Sequence, residues 1–132
     1  MRAVQVIRQS YIIHASARLV WDALTNPKII AKWGGGPAKM DDKVGTKFKL
    51  WGGDIYGKNT EVIKRKKLAQ DWYSGKWTKP SKVNIALSEE HGTTYIDLLQ
   101  EDVPDNEKEE INKGWKNFYF GPLKNLLENS VE

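Results

Sequence analysis

Residues 98–128, LLQEDVPDNEKEEINKGWKNFYFGPLKNLLE, carry the reading that decides the fold, because a strand period gives way there to a helical one. Just before and into this stretch, Thr94, Ile96 and Leu98 alternate with Tyr95 and Asp97, the two-residue period of a strand with one buried face. Further on, Ile111, Trp115, Phe118 or Tyr119, Leu123, Leu126 and Leu127 recur at three- and four-residue steps, as one face of an amphipathic helix requires. Asp105 or Asn106 can cap that helix, and Glu107, Glu109 and Glu110 set negative charge beside its positive dipole end. Gly114 weakens the helix locally. Pro122 lacks an N–H and deprives the Phe118 carbonyl of its usual partner, so a bend is predicted there. A bent helix suits a curved sheet.

Working backwards, strand follows strand between residues 45 and 101. Phe48 and Leu50 alternate with Lys47 and Lys49, and Val83, Ile85 and Leu87 alternate with Lys82, Asn84 and Ala86. Turns are predicted near Gly52, Ala69, Pro80 and Gly92, which makes an antiparallel meander whose apolar face needs a lid. Val4, Val6, Tyr11, Ile12 and Ile13 form a β-rich opening, after which Ser16 caps a helix bearing Leu19, Val20, Ala23 and Leu24. Asn26-Pro27 then starts a second helix over 27–33, stopped by Gly34, Gly35, Gly36 and Pro37. The expectation is a single α+β domain over 1–132: a strand, two short helices, a strand meander and a long C-terminal helix gripped by the sheet.

Composition narrows the function. A chain of 132 residues with 39% hydrophobic content and six tryptophans can bury one core without disulfides or a structural metal. Zero cysteine removes thiol nucleophiles and cysteine zinc sites, and His14 and His91 are too few for a histidine cluster, so no metal and no cofactor is expected. No apolar run reaches the ~18 residues of a membrane span, so a soluble protein is expected, without a membrane partner. Of 21 basic and 17 acidic residues, 17 and 9 fall within the first hundred positions, leaving 4 and 8 beyond them. The body is therefore basic and the tail acidic. Lys64, Arg65, Lys66 and Lys67 form the densest basic cluster, but no helical basic stripe or DNA-reading motif accompanies it, and nucleic acid is not the expected partner.

Two motifs mislead. Ala15-Ser16-Ala17 has the form of a signal cleavage site with Arg2 as its leader, yet Gln5, Arg8, Gln9 and Ser10 interrupt the apolar region a signal peptide needs, so an intracellular, cytoplasmic protein is expected. GGDIYGKN at 52–59 approaches a phosphate-binding loop, but Asn59 replaces its Ser or Thr and no helical pattern follows. A hairpin turn served by Gly52, Gly53 and Gly57 is expected instead.

This order of elements, with VWDALTNP at 20–27 followed by Lys32-Trp33, resembles the START-like (SRPBCC) helix-grip superfamily, also known from the birch-pollen-allergen fold, and within it the activator of heat-shock-protein ATPase homologues. Residues 98–128 look most like the C-terminal domain of eukaryotic activators of the ninety-kilodalton heat-shock chaperone. There a strand ending in Gln precedes Val-Pro, an acidic helix start, Gly-Trp and an aromatic pair. Phe48, Leu50, Gly52, Gly53, Glu61 and Trp72 fit the middle strands of that branch. The resemblance implies a non-enzymatic, co-chaperone-like role in the stress response, with the chaperone as partner. The Asn-rich motif through which the family's N-terminal domain meets the chaperone is missing from these residues, so the resemblance carries over the accessory domain alone.

The chemistry follows from where the side chains fall. A sheet curved around a helix can leave a hydrophobic cavity, here lined by Phe48, Leu50, Trp72, Val83, Ile85, Leu87, Ile96, Leu98, Trp115, Phe118 and Tyr119 and fit for an apolar small molecule. The same residues can equally interdigitate as a solid core. Glu61 shares parity with Ile55 and Ile63, which places it on the inner face with a carboxyl raised by desolvation, or else in a structural pair. Asp54 and Asp97 fit exposed positions, and His91 fits a turn. A lone Glu61 with no nucleophile elbow falls short of acid–base machinery, so no enzyme is expected. Trp33 and Trp77 beside loops, and the cluster Lys64, Arg65, Lys66 and Lys67, are the candidate partner contacts.

Overall fold

Ser16 turns a strand into a helix. Its hydroxyl accepts the Leu19 N–H at 3.3 Å, closing strand β1 (Val4–Ile13) and opening helix α1 (Ala17–Thr25). Asn26 then serves both neighbours: its N–H donates to the Asp22 carbonyl at the end of α1, and its Oδ1 accepts the Lys28 N–H at the start of α2 (Pro27–Trp33). Gly34, with φ 104°, ends α2 in the left-handed conformation. These boundaries coincide with those read from the sequence. The computed structural model describes residues 4–129, apart from the side chain of Val4, and Arg2 of the leader motif lies outside them.

The meander comprises β2 (Lys47–Leu50), β3 (Ile55–Ile63), β4 (Lys67–Ser74), β5 (Ser81–Glu90) and β6 (Thr93–Pro104). With β1 it makes a six-stranded antiparallel sheet in the order β1-β6-β5-β4-β3-β2. Its inner face packs against the C-terminal helix in the helix-grip arrangement, and the core is one continuous cluster from Ile7 to Leu123. Val83, Ile85, Leu87, Ile96 and Leu98 all point inward, as their alternation requires.

Three local readings are corrected. The turn expected at Ala69 lies at residues 64–66, where Arg65 takes φ 66°; Ala69 sits inside β4. Gly57 lies within β3, not in the hairpin turn, and strand continues through Lys58 and Asn59 where a phosphate-binding loop would open a helix. Neither Asp105 nor Asn106 caps the last helix by its side chain: both belong to a 3-10 turn (Asp105–Glu107), and Asp105 instead accepts a hydrogen bond from Gln5 at 2.8 Å.

The C-terminal helix has three parts: α3 (Lys108–Gly114), a π segment (Trp115–Phe120) and α4 (Gly121–Glu128). The irregularity thus precedes Pro122. The Gly121 N–H reaches back five residues to the Lys116 carbonyl, and a Cβ on Gly121 would lie 2.2 Å from that oxygen. Glycine is what allows the wide turn. The wide turn brings Trp115, Tyr119 and Phe120 inward together and leaves Phe118 outside, 65% exposed.

Candidate functional site

A cleft of about 430 Å³ opens where the start of the C-terminal helix leaves the sheet. Trp51, Asp54 and Ile55 from the β2–β3 connection form one side, Trp72 and Ser74 of β4 the floor, and Glu107, Glu110, Ile111, Gly114, Trp115, Phe118 and Tyr119 the helical side. Four cavity candidates from the sequence therefore border it: Trp72, Trp115, Phe118 and Tyr119. Phe118 stands at the mouth, not in the interior. Phe48, Leu50, Val83, Ile85, Leu87, Ile96 and Leu98 lie elsewhere in the buried cluster, closing the core away from the cleft.

Aromatic contacts build the floor. Trp72 and Trp115 stack with centroids 4.6 Å apart, and Trp115 meets Tyr119 at 4.8 Å. Tyr119 also touches Trp33 at 4.8 Å and Trp51 at 6.3 Å. Trp51 takes φ 49°, and its N–H donates to the Gly35 carbonyl at 2.8 Å, so the loop after α2 holds the cleft's outer wall.

Buried amides pin the two stacked indoles, which the sequence reading missed. The Trp115 Nε1–H donates to Gln100 Oε1 at 2.7 Å, and Gln100 Nε2 donates to Ser81 Oγ at 3.0 Å. From the other side, Trp72 Nε1–H donates to Gln70 Oε1 at 2.8 Å, and Gln70 Nε2 donates to Asn59 Oδ1 at 2.8 Å. Asn59, Gln70, Val83, Gln100 and Ile7 are successive partners across β3, β4, β5, β6 and β1, so the amides share one row of the inner face. The signal was present in the strand parity: Gln70 lies between Leu68 and Trp72, where an apolar side chain was due. Every fully enclosed polar side-chain atom among the described residues has a partner.

Glu61 is not an inner-face carboxylate. The β3–β4 register shifts between Asn59 and Glu61, and this bulge inverts the parity, so Val62 turns inward while Glu61 and Ile63 turn out. The Glu61 side chain is 49% exposed and pairs with Lys67 at 2.8 Å. Lys64, Arg65 and Lys66 project from the hairpin tip.

Trp33 is no rim contact: it is 4% exposed, and its Nε1–H donates to the Ala23 carbonyl at 2.8 Å. Trp77 is half-buried and donates to Glu107 Oε2 at 2.9 Å, tying the β4–β5 loop to the helix start. His91 lies exposed in the β5–β6 turn with φ 52°. Among the described residues no group of three or more His, Asp or Glu side chains is placed to hold a metal, and no helix is long and apolar enough to cross a membrane.

Burial raises the Tyr119 hydroxyl far above its ordinary pKa of 10.0, and Tyr11 shifts the same way more modestly. The unfolded chain ionises first as pH rises, so the stability Tyr119 contributes is intact below pH 10 and lost above it. The difference in unfolding free energy between wild type and Tyr119→Phe is expected to change by about 1.4 kcal/mol per pH unit above pH 10. Urea melts at pH 9, 10 and 11 check this; a pH-independent difference would contradict the burial of the hydroxyl.

A curved antiparallel sheet gripping a C-terminal helix, with an aromatic cleft where they part, defines a START-like helix-grip domain. The chain belongs to the family described as Activator of Hsp90 ATPase homolog 1-like protein, which it matches over residues 14–128. It is 23% identical over 107 residues to the mouse activator of 90 kDa heat shock protein ATPase homolog 1, covering 80% of this chain and 32% of that protein. The chain spans about a third of the length of the curated relatives it matches. Its fold superposes on the Aha1 dimer of Colwellia psychrerythraea with a TM-score of 0.82 at 21% identity, covering 97% of this chain and 99% of that one. An HSP90 activator from Plasmodium falciparum gives a TM-score of 0.81 at 23% identity, covering 92% of each chain.

Proposed function

We propose that this chain is a non-enzymatic accessory domain that binds the ninety-kilodalton heat-shock chaperone and modestly raises its ATPase. The observation that carries this reading is the family match over residues 14–128. The mechanism is a population shift: a surface that binds the ATP-competent closed state better than the open one raises turnover without donating a catalytic group. The cationic β3–β4 hairpin supports the contact surface. Lys66 spends its backbone on the turn, accepting from the Leu87 N–H and donating to the Ile63 carbonyl, both at 2.8 Å, while its side chain is exposed.

Titrating the domain into the host's chaperone, with hydrolysis and direct binding followed together, tests it. A saturable rise in rate is expected, with the half-maximal concentration raised about threefold to tenfold by Lys66→Glu and by moderate salt. Neither binding nor stimulation at high micromolar concentration would remove the reading. A threefold or larger Lys66 effect would identify the hairpin as the contact, whereas stimulation indifferent to charge reversal would move the contact elsewhere.

The cleft favours a second reading, a stand-alone binding protein for a largely apolar small molecule. A concave site of about 430 Å³ walled by tryptophan has the size and chemistry of a ligand pocket. Native mass spectrometry of the purified protein tests it through co-purified mass that a competing aromatic ligand displaces.

A further inference from the structure

The cleft's charge runs against that of the molecule. The chain carries a formal +4, yet the residues bordering the cleft include Asp54, Glu107 and Glu110 and no Lys or Arg. Glu107 is engaged by the Trp77 indole, and Lys76 borders an adjoining surface hollow that shares Glu107. Asp54 and Glu110 are exposed and make no ion pair or side-chain hydrogen bond among the described residues. Two unneutralised carboxylates on opposite sides of an apolar slot give it a negative potential, strengthened by the low-dielectric walls.

The second observation is Tyr119. Its side chain is 2% exposed and no described residue hydrogen-bonds its hydroxyl. Every fully enclosed polar side-chain atom among the described residues has a partner, and Tyr119, whose hydroxyl has none there, is one of the residues that line this cleft. A nearly buried hydroxyl without a partner, on a residue that lines the cleft, has a lone pair to offer a ligand N–H. The indoles of Trp51, Trp72 and Trp115 add π-faces and edges that accept an apolar body and favour a cation near them.

We propose that the cleft takes an organic cation, a protonated amine carried on an aromatic or apolar body, with the ammonium between Asp54, Glu110 and the Tyr119 hydroxyl and the body against Trp72 and Trp115. This rests on the reading of the cleft as a ligand site and adds the ligand's charge. Anionic amphiphiles such as fatty acids are disfavoured by the same carboxylates.

Calorimetric titration with 2-(1-naphthyl)ethylamine, the corresponding alcohol and the corresponding carboxylate at pH 7 separates the two claims. The amine is expected to bind about tenfold tighter than the alcohol, with the carboxylate weakest. The double variant Asp54→Asn, Glu110→Gln alters exposed side chains and keeps the fold. It is expected to reduce the amine's advantage to less than about threefold while leaving the alcohol's affinity unchanged. Equal affinity for amine and alcohol, or an advantage that survives the double variant, would overturn the cation assignment while the cleft remains a ligand site. No binding by any of the three at millimolar concentration would overturn the ligand-site reading and this inference with it.

Discussion

Trp115→Ala is expected to lower the unfolding free energy by about 3 to 5 kcal/mol, the usual range for truncating a fully buried tryptophan. The side chain is 2% exposed, stacks on Trp72 and meets Tyr119 and Phe120 on its other sides. Removing it leaves a cavity between sheet and helix and also strips Gln100 Oε1 of the indole N–H it accepts. Trp115→Phe separates the two costs: it keeps most of the volume and pays for the lost hydrogen bond, about 1 to 3 kcal/mol for a buried acceptor left without a partner. For a domain of this size each kcal/mol corresponds to about 3 to 5 °C in Tm, so the alanine variant should melt far below the phenylalanine one. Chemical denaturation of the three proteins measures this. Alanine and phenylalanine variants of equal stability would show that the volume term is small and that Trp115 is not part of the close-packed core.

What was legible in the sequence, and what was not, follows one physical division. Ser16, Asn26-Pro27 and Gly34 were readable because caps and stops act through backbone groups within a few residues. The alternations Phe48–Leu50 and Val83–Ile85–Leu87 were readable because an uninterrupted strand keeps its parity. Glu61 was misplaced because a single extra residue after Asn59 reverses that parity, and NTEVI carries no mark of a bulge. The choice between Phe118 and Tyr119 stayed open because both lie one turn from Trp115, and the π segment that decides it depends on a nonlocal fit between helix and sheet. Trp33 read as a loop contact because the carbonyl that fixes it belongs to Ala23, in the preceding helix. The cleft's outer wall, Trp51 and Asp54, was illegible for the same reason: the loop after α2 positions it through contacts distant in sequence. Gln70 and Gln100 appeared as breaks in apolar strands, and only the stacked indoles explain them.

Gly57→Ala is expected to cost about 3 kcal/mol, at the upper end of overpacking penalties, although the change adds a single methyl group. Backbone freedom is not the cause, since Gly57 lies in regular strand between Phe48 on β2 and Trp72 on β4. A Cβ there would stand 1.7 Å from the Asp71 carbonyl oxygen and 3.3 Å from Phe48 Cε2. The obstacle is backbone of the neighbouring strand, which cannot rotate away as a side chain can, so β3 must separate from β4. Gly75 supplies the contrast: it has φ 57° and nothing within 4 Å of an added Cβ, so Gly75→Ala should cost only about 1 kcal/mol of conformational strain. Because β2 and β3 form one edge of the sheet, the damage need not unfold the whole molecule. Amide exchange should accelerate first across residues 47–63, with β1, β5 and β6 protected longer. The same edge carries Trp51, Asp54 and Ile55 into the cleft, so any binding at the ligand site proposed there should be lost under conditions where most of the core stays folded. A Gly57→Ala protein as stable as Gly75→Ala, with unchanged exchange at this edge, would show that the close approach of the Asp71 carbonyl is not a feature of the folded state.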